Sequence, residues 1–404
     1  MKRFFLYSLI IIAILIVGKV IWVRYALKDV GSFETERTDI LQRRNFLLEK
    51  INISPSELID AMPASVGSQF QGEWALYSLS MLVQSLANIS QLYPETREEN
   101  CRFIDSLITI ALAPEIRYYD SMRWFEDPLE TLDGNESHIS YISHLAWMIS
   151  NYKQVGGSDK YDELYHALCG TMNRRLLNTP NLNLPTYPEE PIYVPDMLVA
   201  IVALANYARQ NNGKYQSTVD RWVERAQGEW CDEQTGLLKS FLPDIGCPIV
   251  EYDFPISGSY VSLNCYYLTF IDETFARSQY ELMKKFFVQT RPVAGIKEYH
   301  NHKCWLGLSI DAGIVLLNLA PSGTAFGLGS VTYFGDSKLR SQFLRTAEMA
   351  GSTIISKDKR HYWLADIALV GEAITLAMRT TITQRNEDID TIFNGEPDAY
   401  WDID

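Results

Sequence analysis

The stretch Met197 to Ala205 (MLVAIVALA), read as a helix, has no polar side. Such a helix cannot lie with one face in water, so other elements have to enclose it all round. Its beginning is marked by Pro195, which suits a first helical turn because its missing N–H is not needed there. Asp196 follows, where the helix dipole favours a carboxylate. Upstream, Leu184 to Tyr193 holds three prolines (Pro185, Pro188, Pro191) and the pair Glu189 and Glu190. A catalytic barrel of helices needs a buried helix with carboxylates at its mouth. A capped helix in a plain helical core would show the same pattern.

Helical spacing of apolar residues recurs along the chain. It predicts helices near 35–50, 55–62, 72–92, 97–112, 138–154, 159–177, 195–210, 216–229, 259–272, 275–289, 311–319, 339–350 and 364–380. Turn chemistry separates them at Gly156-Gly157, Asn211-Asn212-Gly213, Gly236 and Pro321-Ser322-Gly323. Strand signals are few, with 248–252 the best. About a dozen helices in antiparallel pairs fit an all-α fold, an (α/α)6 barrel or six-hairpin toroid spanning 61–382. In it, 195–210 and 364–380 belong to the inner ring and 216–229 to the outer one. An α-solenoid is the rival. The irregular connections at 113–137, 178–194 and 231–258 favour the barrel, because loops of that length usually build a site.

The N-terminus predicts a membrane anchor over 1–28. Phe4 to Val17 is apolar apart from Tyr7 and Ser8, and only Lys19 interrupts the run from Gly18 to Val23. About 20 such residues suffice to span a bilayer. No small-residue cleavage site follows, which favours an uncleaved transmembrane helix over the alternative, a cleaved signal peptide; a short N-terminus inside then puts the domain on the periplasmic or extracytoplasmic side. Residues 29–60 form a charged linker and a first helix, and 383–404 an acidic tail. The net charge of −14 argues against a nucleic-acid partner, which needs a basic surface. Six cysteines with no C-x-x-C spacing argue against the common zinc and thioredoxin patterns. Nothing in the sequence fixes an oligomeric state.

Two segments lead as carriers of chemistry. Tyr118 to His144 holds Asp120, Trp124, Glu126 and Asp127 ahead of a helix bearing His138, Tyr141 and His144. His138 can act as general acid or base beside a loop carboxylate; the plainer reading is a first-turn histidine held by loop carbonyls. Glu190 and Asp196 can form a two-carboxylate pair, as in glycoside cleavage, or serve as solvated charge and helix cap. Glu73, Trp74 and Tyr77 near a helix start suit an apolar or sugar ligand, and Trp124 and Tyr193 offer further aromatic wall. Ser257-Gly258-Ser259 and Ser322-Gly323-Thr324 allow close backbone approach, and Asp311 adds a candidate polar group. His300 and His302, two residues apart, are a weak metal pattern. No metal or cofactor is expected.

The order Tyr118-Tyr119-Asp120, His138 at a helix start, and Glu190-Pro191 leading into a buried helix resembles the linalool dehydratase/isomerase-like family. Asp311-Ala312-Gly313 followed by Ser322 to Phe326 adds to the likeness, which spans roughly 65–380. The resemblance implies an (α/α)6 barrel doing acid/base chemistry on a small alcohol, with roles for His138 and Glu190. That family uses cysteines around the equivalent turn; this chain has none from Pro188 to Asp196, leaving carboxylates where thiols would be. The arrangement also resembles the broader six-hairpin glycosidases, including lyases. The leading expectation is a membrane-anchored enzyme acting on a hydroxylated small molecule or a carbohydrate. Asp120, Asp127, His138, Glu190 and Asp196 would line one mouth. The alternative from another class is a tethered, non-catalytic helical binding or scaffold protein.

Overall fold

A computed structural model describes residues 2–28, 30–63, 68–243, 256–309 and 312–382. The strand expected at 248–252 and the acidic tail at 383–404 lie outside them. The chain opens with α1 (Lys2–Ala26), α2 (Phe33–Ile51) and the short α3 (Pro55–Asp60), which starts on a capping box between Ser54 and Glu57. Next come α4 (Ser68–Leu92), α5 (Arg97–Ala111), α6 (Pro114–Trp124), α7 (Ile139–Gln154) and α8 (Asp162–Asn178). Strand β1 (Ile192–Tyr193) leads into α9 (Val194–Gln210) and α10 (Gln216–Glu229), and β2 (Phe241–Leu242) pairs back on β1.

The rest of the chain holds α11 (Gly258–Leu268), α12 (Glu273–Phe287), the hairpin β3 (Val288–Gln289) and β4 (Gly295–Ile296), and the hairpin β5 (Leu306–Ser309) and β6 (Gly313–Leu316). It ends with α13 (Pro321–Tyr333), α14 (Ser337–Gly351), the hairpin β7 (Thr353–Ser356) and β8 (Lys359–Tyr362), and α15 (Leu369–Arg379).

The apolar helices pack against one another. α4 lies against α7 and α15, α7 against α9, α9 against α11, α11 against α13, and α13 against α15. Each is backed by an amphipathic partner: α5 on α4, α8 on α7, α10 on α9, α12 on α11, α14 on α13 and α2 on α15. The inner helices run the same way. His144 Nδ1 and Ser80 Oγ lie 2.8 Å apart near one end, and Asn151 donates to Gln84 nearer the other. Asn88 donates to the Ala377 carbonyl, so α15 is parallel to α4. The ring of Tyr193, beside the start of α9, meets that of Tyr260 in the first turn of α11 at 5.5 Å. The N-termini of the inner helices therefore gather at one end, together with the segments that lead from an outer helix to the next inner one.

Helix α13 is absent from the sequence expectations, because Gly323, Gly327 and Gly329 weaken its helical signal. Packing explains them: a Cβ at Gly329 would sit 2.5 Å from Met378 Sδ and 2.6 Å from the Tyr266 ring. The helix expected at 311–319 is instead strand β6, ended by left-handed residues at Leu317 and Asn318. A short apolar run satisfies either period, and pairing with β5 decides it. The connection 113–137 is also less irregular than expected, since it contains α6.

A buried ionic network ties α2 to the end of the chain. Glu36 accepts from Arg340 at 2.6 and 2.9 Å and from Arg379 at 2.9 Å. Asp39 bonds Arg379, Arg43 and Arg360, and Arg43 reaches Glu372 at 2.7 Å. Among the described residues no helix is long and apolar enough to cross a membrane, so the span expected at 1–28 is not found there. Helix α1 is instead an apolar surface helix with Ile11, Ile14, Leu15 and Ile16 exposed. Its last turns dock on α14: Trp22 Nε1 donates to Glu348 Oε1 at 2.8 Å, Lys19 bonds Ser352, and Val23 is buried. As the α1 number rises the α14 number falls, so the two helices are antiparallel.

Candidate acid/base site at the inner helix N-termini

His138 is the N-cap of α7, with left-handed backbone (φ 48°, ψ 21°). A non-glycine residue rarely takes this conformation, and surrounding structure has to hold it. Its ring is fully buried between two carboxylates. Nδ1 lies 2.5 Å from Asp120 Oδ2 and Nε2 lies 3.1 Å from Glu126 Oε1. Asp120 comes from α6, where it is buried, and its Oδ1 accepts from Ser140 Oγ at 3.2 Å. Ser140 Oγ in turn lies 3.3 Å from the Tyr119 hydroxyl. Burial pushes the Asp120 carboxyl up, against the pull of His138 and Ser140. A neutral imidazole offers one N–H, so serving both carboxylates requires one further proton within the three groups. The ring of Trp124 stands 5.6 Å from that of His138, and its buried Nε1 has no hydrogen-bond partner among the described residues.

Asp196 lies in the first turn of α9 and is buried, with Thr186 donating to its Oδ2 at 2.8 Å. Burial pushes its carboxyl up to about 7; the Thr186 hydrogen bond opposes this, and the Asp120 and Glu190 charges add to it. Neither Asp120 nor Asp196 forms an ion pair with a lysine or arginine among the described residues. Tyrosines stand within the electrostatic reach of Asp196. Tyr187 donates to Glu73 Oε2 at 2.9 Å, and Tyr77 and Tyr267 share a 2.9 Å hydroxyl contact. Burial raises all of these phenols, as does the field of Asp196. They stay neutral and able to donate. Further in, burial pushes His144 down to about 3, leaving it a neutral partner of Ser80.

The other sequence candidates divide. Trp74 is half-buried and packs against the core. Tyr193 lies tilted against Phe241 and edge-on to Tyr260 at the edge of the cluster. Glu190 is exposed and meets Arg123 Nη1 at 3.4 Å, while the Arg123 guanidinium lies 4.3 Å over the Tyr187 ring. Glu190 thus guards the rim and is no member of the buried group. Asp127 points away: it pairs with Arg117 at 2.7 Å and caps the turn at Leu129. Its neighbour Glu126 takes the place expected for it. Tyr141 is a core residue, donating to the Ala111 carbonyl at 3.0 Å. Asp311 lies outside the described residues.

Gly258 meets backbone as its small size suggested, since a Cβ there would lie 1.8 Å from the Lys297 carbonyl oxygen. His300 packs against Phe286 and Phe287, and His302 is exposed. Among the described residues no cluster of histidine, cysteine and carboxylates could hold a metal. A surface depression of about 520 Å³ beside Pro94, Cys101 and Val155 contains none of the site residues.

Tyr119, Tyr187 and Tyr267 are not among the site residues expected from sequence. Tyr119 sits one residue from Asp120 and Tyr187 in the proline-rich turn, so proximity in sequence was a usable signal for both. Tyr267 offered none. No family model and no curated protein matches this chain.

Proposed function

We propose that the paired helices form a six-hairpin toroid of the (α/α)6 type, and that its N-terminal end carries an acid/base enzyme site acting on a hydroxylated small molecule. The cycle of packed inner helices, each with an outer partner, supports the toroid. The Asp120–His138–Glu126 triad, with Asp196 nearby, supports the chemistry. The observation that carries the reading is the placement of Asp196: a buried carboxyl in the first turn of an inner helix, held by Thr186 and with no ion pair among the described residues, is costly unless used.

In a dehydratase or lyase step, the triad donates its extra proton to the substrate hydroxyl, which leaves as water. Asp196 as carboxylate takes a proton from the adjacent carbon, and the electron pair of that C–H bond becomes the double bond. Return of water at another carbon would be the isomerase version. The tyrosines supply wall and neutral donors, and Trp124 presents an unused N–H. The same carboxylates would serve a six-hairpin glycoside hydrolase or lyase, the reading that turnover of glycosides in place of alcohols would favour.

Helix α1 attaches the domain to a membrane on the extracytoplasmic side in this reading, supported by its exposed isoleucines and leucines. The test uses the full chain in detergent against tertiary and allylic alcohols and a panel of glycosides. His138→Ala and Asp196→Asn should each lower kcat by about 10² or more. Unchanged turnover in both variants would refute the site.

A further inference from the structure

The exposed apolar side chains are not spread evenly over this molecule. Hairpin β5–β6 pairs Leu306 with Leu316 and Leu308 with Ile314, so the four side chains share one face. That face is open: Leu306 is 74% and Leu308 84% exposed, and the neighbouring Trp305 is exposed too. The opposite face holds the buried Val315. Trp363, Leu364 and Ile367 are exposed just before α15, as are Ile354 and Ile355 on β7. Phe125, next to Glu126 of the triad, is 93% exposed. All of these lie in segments leading from an outer helix to the next inner one, at the end where the inner helices begin. The turns at the other end, such as Gly156-Gly157-Ser158 and Asn211-Asn212-Gly213, show no exposed large apolar side chain among the described residues.

Helix α1 points to the same end by a separate route. It is antiparallel to α14, and Gly327 of α13 faces Phe343 of α14 across their short turn, so α14 is antiparallel to α13. The C-terminus of α14 therefore lies at the end where the inner helices begin. Because Lys19 bonds Ser352 just past that terminus, the residues of α1 before Lys19 extend beyond this end. At 1.5 Å per residue they reach about 25 Å.

We infer that this end of the domain rests on a lipid bilayer, so that the site beneath it opens to lipid and takes a membrane-dissolved amphiphile with a hydroxyl-bearing head. The inference rests on the membrane attachment and acid/base site proposed above. Two arguments favour lipid over a protein partner. The apolar elements come from chain segments far apart yet share one end, and α1, an apolar helix with exposed Ile11, Ile14, Leu15 and Ile16, leaves from that end. Exposed apolar patches of this extent mark membrane or protein contacts, and continuity with α1 selects the membrane.

The test places the full chain on phosphatidylcholine vesicles with and without dibrominated phosphatidylcholine, and reads tryptophan quenching and flotation. The expected result is flotation with strong quenching, much of it lost in Trp305→Phe/Trp363→Phe. Both side chains are exposed enough for the variant to fold. Flotation with equal quenching in both proteins would overturn the inference while leaving α1 as an anchor. Absence of flotation would overturn both, yet leave the acid/base site to its own turnover test. In that turnover test, long-chain alcohols in vesicles should exceed their short-chain soluble analogues by at least about tenfold, and Leu306→Asp/Leu308→Asp should erase the preference. Equal use of both would refute a lipid-borne substrate.

Discussion

Replacing Glu36 by glutamine removes one charge from the centre of the α2–α14–α15 network and alters almost no volume. Burial alone would push this carboxyl up, but Arg340 and Arg379 outweigh it and hold it below its ordinary range. The carboxylate accepts three charged hydrogen bonds, at 2.6, 2.9 and 2.9 Å, and its side chain is fully buried. Glutamine offers one oxygen to the two guanidiniums and turns an amide N–H₂ against them.

Three charge-assisted bonds at ~1.5–3 kcal/mol each would overstate the loss. Arg340 keeps the Arg379 carbonyl and Arg379 keeps Asp39. Breaking one partner of a buried ion pair costs about 3–5 kcal/mol, so about 4 kcal/mol is expected. That is close to a thousandfold in the folding equilibrium.

Urea unfolding of the full chain in detergent, followed by tryptophan emission, gives the midpoint. Glu229→Gln, which removes an exposed pair with Arg225, is the control and should not move it. If Glu36→Gln shifts the midpoint no further than this control, the network is structural ornament and the reasoning fails. The pH dependence has a definite sign. A lowered carboxyl stabilises above its ordinary range. As pH falls through that range the unfolded chain takes up protons first, so wild type loses stability there and Glu36→Gln loses less.

Other outcomes follow from the same geometry. Asp196 is raised to about 7, so the folded state binds its proton more tightly than the unfolded chain does, and wild type loses stability as pH rises toward 7. Asp196→Asn should therefore gain stability relative to wild type at pH 8, by unfolding midpoint, while losing turnover. Gly329→Ala gains roughly 1 kcal/mol of helix propensity but meets Met378 and Tyr266, an overpacking cost of about 1–3 kcal/mol, so denaturation should show net loss. Asp127→Asn should lower stability through the Arg117 pair and leave kcat within about twofold, as a residue outside the acid/base group would; a loss like that of His138→Ala would return Asp127 to the site.

Much of the helical architecture can be read from spacing alone. The apolar-all-round run behind Asp196 is α9, and the charged face of 216–229 is α10, backing it. The glycines of α13 defeat propensity, because what decides them is the Tyr266 and Met378 side chains from two other helices. At the site, Asp120 and His138 can be named from sequence as carboxylate and base around one helix start. Choosing Glu126 over Asp127 cannot: the two are adjacent, and the left-handed Phe125 (φ 59°) sets which of them turns inward. Tyr267 enters from a helix more than a hundred residues away, a meeting that only tertiary packing arranges. A rim position for Glu190 likewise depends on Arg123 lying over Tyr187.

The contacts of α2 also set an order of events during synthesis. Glu36 and Arg379 are 343 residues apart, and the other distant charged partners of Glu36, Asp39 and Arg43 lie at Arg340, Arg360 and Glu372, so they are all made long after α2. Until then Glu36, Asp39 and Arg43 have to remain hydrated, and α2 cannot settle into its final burial. Synthesis of α15, rather than of α2 itself, is the step that allows this burial. A chain truncated before Leu369 should accordingly leave α2 protease-sensitive.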